Sequence, residues 1–206
     1  MAAPERLPRG RHSLSREAVA EAQRARLLRG MAEAMTEHGY AGTSVAEILR
    51  RARVSRETFY ELFSSKEACF MSAFEDATGR LVLALAEQPG DLGTVPATPL
   101  GRLDLLVRGY LDAIAADLPY ARIFLVEVYA AGPEAARRRT ELQGRFAEAL
   151  AVDFGVTSET DRFAIEAAIA AVYALVTARV AVGDAGAVRA LHAPLMDFFA
   201  ALPFAR

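Results

Sequence analysis

Between residues 43 and 67 the chain reads TSVAEILRRARVSRETFYELFSSKE, and three helix starts are crowded into it. Ser44-Val-Ala-Glu47 and Ser64-Ser-Lys-Glu67 have the form of a capping box, in which a hydroxyl and a carboxylate each take an orphan backbone N–H at a helix start. Ser55 is a further N-cap, reached after only Arg53 and Val54. Starts this close force two short helices, over residues 44–52 and 55–63, and a long one opening at Ser64. Isolated helices below ~12–15 residues are marginal in water, so the short pair must pack to exist. Val45, Ile48, Leu49, Val54, Phe59 and Phe63 supply the inward face, which leaves Arg56, Glu57 and Tyr60 pointing outward.

The rest of the chain is helical in pattern too. A first helix runs from an N-cap at Ser15 to His38, with Leu28, Met31, Ala32 and Met35 at helical spacing and Gly39 as the stop. The helix opening at Ser64 extends to about Gln88, where PGDLGTVPATP, rich in proline and glycine, makes a loop. Further helices are expected over residues 100–117, 119–131, 133–153, 158–182 and 186–202, punctuated by Pro119, Gly132-Pro133, Gly155 and Gly183. No alternating strand pattern, internal repeat or low-complexity tract is present. The expectation is an all-α chain of about nine helices. A basic arm and three-helix unit occupy residues 1–66, and a larger unit residues 67–206.

Several function classes are disfavoured by the same residues. The single cysteine, Cys69, cannot form an intramolecular disulfide, and no paired Cys/His spacing suits zinc, so neither metal nor cofactor is expected. His12, His38 and His192 are scattered and Cys69 has no evident base partner, so no catalytic residues are assigned. A helical carrier of lipophilic molecules is a better competitor than an enzyme. The arginine-rich amino end lacks the apolar run of a secretory signal. The most apolar segment, residues 167–178, is uncharged for 12 residues, against ~20 for a bilayer span, and is expected to be a buried helix. A cytoplasmic chain that does not enter membranes is expected.

The formal net charge of -2 hides an asymmetry. Residues 1–66 hold 12 Lys/Arg against 8 Asp/Glu, and residues 67–206 hold 12 against 18. A basic segment beside an acidic remainder is the footprint of a polyanion-binding part, or else an ordinary solvated surface. Two short helices joined by a tight turn match the helix-turn-helix plan, whose second helix enters the DNA major groove. Read with the first helix and its MTEHGYAGT exit, TSVAEILRRARVSRETFYELFSSKEACF resembles the amino-terminal domain of the tetracycline-repressor-like (TetR) family of transcriptional regulators, over roughly residues 15–75. The resemblance implies a homodimer that reads a double-stranded DNA operator and, in most members, represses until a small molecule binds. Within it, Tyr60 is similar to the recognition-helix tyrosine that meets a phosphate. Lys66, the one lysine in the chain, would add charge at a helix start that already attracts phosphate. Ser44 and Ser55 are N-caps whose helix starts the resemblance places near phosphates. Arg56 has the fork that suits guanine, and Glu57 the carboxylate that suits a cytosine amino group. Two positions depart from the family. Arg53 stands where many members have glycine in the turn, and a left-handed non-glycine costs ~1–2 kcal/mol there. Leu62 stands where others often carry histidine.

In the larger unit, Tyr110, Tyr120, Phe124, Tyr129 and Phe146 sit inside apolar runs and are core by default. The resemblance would instead make Phe74, Tyr110, Tyr120, Phe124 and Phe146 the lining of an effector pocket. Glu127, inside RIFLVEVY, is either paired with an arginine such as Arg102 or Arg138, the favoured reading, or a polar anchor in an apolar site. The small-residue run EAAIAAVYALVTARVAVG and the terminal LMDFFAALPF carry more apolar surface than one monomer face buries. That suits a two-fold dimer through the last two long helices.

Overall fold

Serine and aspartate caps set where the helices begin. In the computed structural model, which describes residues 15–86 and 96–202, Ser15 Oγ accepts from Ala18 N–H at 3.1 Å and opens α1, Arg16–Gly42. The remaining α-helices are α2 Val45–Ala52, α3 Arg56–Leu62, α4 Lys66–Ala86, α5 Pro99–Ala116, α6 Leu118–Leu125, α7 Pro133–Asp153, α8 Glu159–Ala181, α9 Ala185–Arg189 and α10 His192–Ala201. A 3₁₀ turn, Glu127–Tyr129, lies between α6 and α7, and no strand occurs among the described residues. The all-α expectation therefore holds. The amino-terminal arm with His12, part of the proline-rich loop, and Pro203 and Phe204 fall outside the described residues.

Four local expectations need correction. The cap of α4 is Ser65, whose Oγ accepts from Ala68 N–H at 3.0 Å; starting one residue later than Ser64 moves Glu67 out of the reciprocal position. At α2, Ser44 Oγ does accept from Glu47 N–H, but the Glu47 carboxylate is drawn to Arg50 and Arg51, leaving only half of the capping box. The helix expected over residues 119–131 stops at Leu125, because buried Glu127 turns aside to bond the end of α1. The last helix is two. Pro194 has no N–H to donate backward, so it is tolerated in the first turn of a helix beginning at His192 and not inside a longer one.

Two glycines fix the amino-terminal geometry. A Cβ on Gly30 would stand 3.1 Å from both Ala52 N and Ile48 O, so its bareness lets α1 and α2 cross closely. Gly39, at φ 65°, ψ 173°, breaks α1 where the spacing ends it and leaves a single further turn to Gly42. Leu27, Met31, Met35, Ile48, Phe59 and Phe70 are fully buried between α1, α2, α3 and α4. Val45, Leu49 and Val54 are packed against that core, each partly exposed. Lys66 is the first residue of α4, which packs against α1 and runs on to α5 and α6.

By length and composition alone, α8 passes as a membrane span, with a mean hydropathy of 1.7 over its most apolar 18 residues. The uncharged stretch alone underestimates its apolar length, and the expectation that it is a buried helix needs correction. Only 28% of that window is buried, and its outer side is apolar: Phe163 is 70% exposed and Val182, at its carboxyl end, 78%.

Candidate nucleic-acid interface and effector cavity

The turn between α2 and α3 is held by Arg53 in the left-handed region, at φ 53° and ψ 48°, the one non-glycine residue with positive φ among those described. Its N–H bonds Leu49 O and closes α2. A glycine would take this conformation without the Cβ clash, so the family departure seen in the sequence is a real backbone strain. Ser55 Oγ accepts from Thr58 N–H at 3.1 Å and shares a hydrogen bond with Thr58 Oγ1 at 2.9 Å, fixing the start of α3. On this frame Ser44, Arg53, Ser55, Arg56, Glu57 and Tyr60 are all exposed. Tyr60 is 52% exposed while its ring meets Phe59 edge-on at 5.3 Å, so its base is anchored and its hydroxyl faces out. Neither Arg53 nor Arg56 is ion-paired among the described residues, whereas Arg50 and Arg51 are both committed to Glu47. Two free guanidiniums and a phenol thus share the face of α3 and the turn before it.

Lys66 is placed differently from the free cation expected at this helix start. Its Nζ donates to Tyr40 O at 2.9 Å and Thr43 O at 3.0 Å, and lies 4.2 Å from the Tyr40 ring centroid. It is a strut joining the start of α4 to the end of α1, satisfying carbonyls that a helix end leaves open.

Glu127 sits in the same junction. It is 5% exposed; Oε2 accepts from Tyr40 N–H at 2.7 Å and Oε1 from Arg122 Nε at 2.9 Å. Arg122 also donates to Ala181 O, at the end of α8. The expected ion pair exists, but with Arg122, since Arg102 pairs with Asp153 and Arg138 with Glu134. The alternative of a pocket anchor is overturned: both carboxylate oxygens are occupied, and Glu127 lines none of the three hollows described below. A second tie, Arg29 to Asp117 at 2.6 Å, links α1 to the α5–α6 corner.

The five aromatic residues expected to line one pocket divide among three hollows. An apolar cavity of about 80 Å³ between α4, α5, α7, α8 and α10 is lined by Tyr110 and Phe146, with Thr78, Leu81, Leu142 and Tyr173 among the others. Phe74 borders a neighbouring groove of about 310 Å³ that carries Glu75, Arg138, Glu141 and Arg145, and Thr78 and Leu142 belong to both. Tyr120 and Phe124 line a third hollow, beside Arg80, between α4, α5 and α6. Tyr129, assigned to the core, is 62% exposed. The sequence reading missed Tyr173 and Arg139, because a tyrosine in an alanine-rich helix and one arginine in the run RRR carry no signal of what they face.

For chemistry, burial pushes the Cys69 thiol up to about 12, which keeps it protonated and a poor nucleophile. Among the described residues, no group of three His, Cys, Asp or Glu side chains could hold a metal ion.

Residues 27–73 match the family model of bacterial regulatory proteins, tetR family. A TetR-like transcriptional regulator from Rhodococcus sp. RHA1 superposes with a TM-score of 0.66 at 23% identity, covering 96% of this chain and 100% of its own. The fatty acid degradation regulator FadR from Bacillus halodurans gives 0.72 at 21% identity, over 89% and 97%. FadR from Bacillus subtilis, solved in complex with stearoyl-CoA, gives 0.67 at 19%, over 86% and 97%. None of the curated proteins matches the chain in sequence. The family's sequence pattern lies over the helices that present Arg53, Arg56 and Tyr60, and the fold shared with these regulators extends over nearly all the rest; residues 27–73 carry the amino-terminal pattern of the tetR family.

Proposed function

We propose that this protein is a homodimeric repressor that binds a pseudo-palindromic operator through α3 and lets go when a small, largely apolar effector fills the cavity beside α4. The observation that carries this reading is the exposed, unpaired set Arg53, Arg56 and Tyr60 on a capped helix-turn-helix whose neighbouring arginines are all tied down. Arg56 reads bases, Glu57 assists, and Tyr60, Arg53 and the helix starts at Ser44 and Ser55 hold phosphates. Residues 1–66 form the reading unit, and residues 67–206 bind effector and partner.

The dimer forms through α8 and α10. Phe163, Ala167, Ala170, Ala174, Leu175, Ala178 and Val182 follow helical spacing along one exposed side of α8, and Phe198 adds to it from α10. A two-fold four-helix packing covers that stripe. It is a better account of an apolar, unburied helix than insertion into lipid, because a DNA reader works in the bacterial cytoplasm.

Effector and DNA communicate through α4. Its middle and carboxyl-terminal half contribute Thr78, Leu81, Val82 and Leu85 to the cavity, and its first residue, Lys66, holds the end of α1. An effector that displaces α4 therefore shifts the reading helices, while the Glu127 and Asp117 ties fix the other side of α1. The stearoyl-CoA complex of the Bacillus subtilis regulator supports an apolar chain as the occupant.

Footprinting on the DNA flanking the coding region, with selection from random duplexes, tests the reading. We expect two half-sites about one DNA turn apart, ~34–36 Å, or a multiple of it. Only asymmetric sites, together with a monomer at micromolar concentration, would refute it.

A further inference from the structure

Buried polar groups in folded proteins almost always have partners, so exceptions call for a reason. Among the described residues four buried side-chain atoms have no hydrogen-bond partner: Tyr110 OH, Arg139 Nε, Thr177 Oγ1 and His192 Nε2. His192 Nε2 nonetheless stands 3.0 Å from an Asp104 carboxylate oxygen. The other three belong to one neighbourhood. Arg139 lies 5.0 Å from the Tyr173 ring centroid, Tyr173 packs on Tyr110 with centroids 6.4 Å apart, and Thr177 follows Tyr173 by one turn of α8.

Arg139 is the unusual member. It is only 7% exposed, yet it pairs with no carboxylate among the described residues. Its companions are the Tyr129 hydroxyl, to which it donates, and the faces of Tyr129 and Tyr173. A buried cation without a counter-charge is expensive, and ring faces offset only part of that. Tyr110 and Tyr173 line the apolar cavity, and Leu142, one turn beyond Arg139 on α7, lines it too. Burial raises both phenols above their ordinary range while the Arg139 charge opposes it, so both stay neutral donors.

We propose that the effector is an apolar carboxylic acid held head-inward, its carboxylate taken by Arg139 and the Tyr110 hydroxyl and its hydrocarbon part lying in the cavity toward Thr78 and Leu142. This rests on the reading of that cavity as the effector site, and adds the charge and orientation of the ligand. The chemistry selects an anion because the free donors, Arg139 Nε and the Tyr110 hydroxyl, lack an acceptor. It selects a hydrocarbon because the rest of the lining is almost wholly aliphatic and aromatic. At about 80 Å³ the cavity is smaller than an engineered one of ~150 Å³ that admits benzene. A chain of several carbons must therefore push α4 and α7 apart, at the groove that Thr78 and Leu142 share.

The test is calorimetric titration of the full-length protein, without DNA, using octanoate and 1-octanol as probes. We expect octanoate to bind about 10- to 100-fold tighter than octanol, the range of a charge-assisted hydrogen bond. Arg139→Met should abolish that preference, and an unchanged circular dichroism spectrum and cooperative melting report that the variant is folded. Tyr110→Phe should reduce the preference severalfold. Should Arg139→Met fail to fold, Tyr110→Phe and the wild-type preference decide alone. Arg145→Ala, in the outer groove, should change nothing. Equal binding of the two probes, or binding of neither, overturns the proposal. So does loss of the preference in Arg145→Ala and not in Arg139→Met, which would mean a head-outward anion. Operator binding is measured separately: octanoate binding without operator binding would sink the repressor reading alone, and the reverse would sink this one alone.

Discussion

Replacing Glu127 by glutamine keeps the side chain's shape and removes the charge on which the junction between the reading helices and the rest of the fold depends. The carboxylate serves two donors with two oxygens, Tyr40 N–H at 2.7 Å and Arg122 Nε at 2.9 Å. An amide has one oxygen. If it serves Tyr40, its NH₂ confronts Arg122, and a charge-assisted bond worth ~1.5–3 kcal/mol is lost. Removing one partner of a fully buried pair costs ~3–5 kcal/mol, but the Arg122 side chain is 21% exposed and can turn to water, so the lower range applies. We expect a loss of ~2–3 kcal/mol, which for a chain of this length lowers Tm by ~4–12 °C. Denaturation at one fixed protein concentration checks this, since the stability of the proposed dimer depends on concentration. The cycle with Arg122→Gln should show a coupling of ~1–3 kcal/mol. The variant should also respond less to effector, because the residue that holds Tyr40 is itself no longer anchored by Arg122. A Tm change below ~1 °C, with the two substitutions additive within ~0.5 kcal/mol, would show that the pair holds nothing together.

Arg53→Gly relieves the left-handed strain and should raise stability by up to ~1 kcal/mol while weakening operator binding; lower stability at unchanged affinity would remove Arg53 from the interface. Lys66→Ala strips two carbonyls of their donor and should destabilise the fold by ~1–2 kcal/mol, measured in denaturant, and a change confined to the salt slope of DNA binding would instead make Lys66 a phosphate clamp. Arg56→Ala should relax sequence preference at one position per half-site at a cost of ~1–3 kcal/mol, whereas Tyr60→Phe should weaken operator and scrambled DNA alike, by ~0.5–1.5 kcal/mol per half-site. Hydrogen bonds from Arg50 and Arg51 hold the Glu47 carboxyl down to about 2 from 4.5. Its contribution to α2 is therefore complete above the unfolded value and is lost as pH falls from about 4.5 towards 2. Glu47→Gln should flatten that acid limb in a pH series of denaturation midpoints.

Local chemistry made the reading unit legible in the sequence. Serines at the starts of α1, α2 and α3, the spacing of Ile48, Phe59 and Phe63, and Gly39 at the end of the first helix each act within one turn of chain, and each stands where it was expected. Even the strain at Arg53 follows from a two-residue turn between caps. Partners far apart in sequence were not legible. Glu127 found Tyr40, 87 residues away, because the end of α1 lies over the end of α6, and neither periodicity nor charge pattern encodes that meeting. The same contact stopped α6 early. Lys66 turned inward because two carbonyls of α1 lay within reach, where the sequence showed only a cation at a helix start. Pro194 is the exception, a local signal that begins α10 and was overlooked. Aromatic residues in apolar runs told that something would be buried, and only the packing of α4, α5, α7, α8 and α10 decided that Tyr110 and Phe146 border a cavity while Glu127 closes a junction. Capping and periodicity are short-range and written in neighbouring residues; burial and charge pairing are settled by which helices meet, and the sequence alone does not say which.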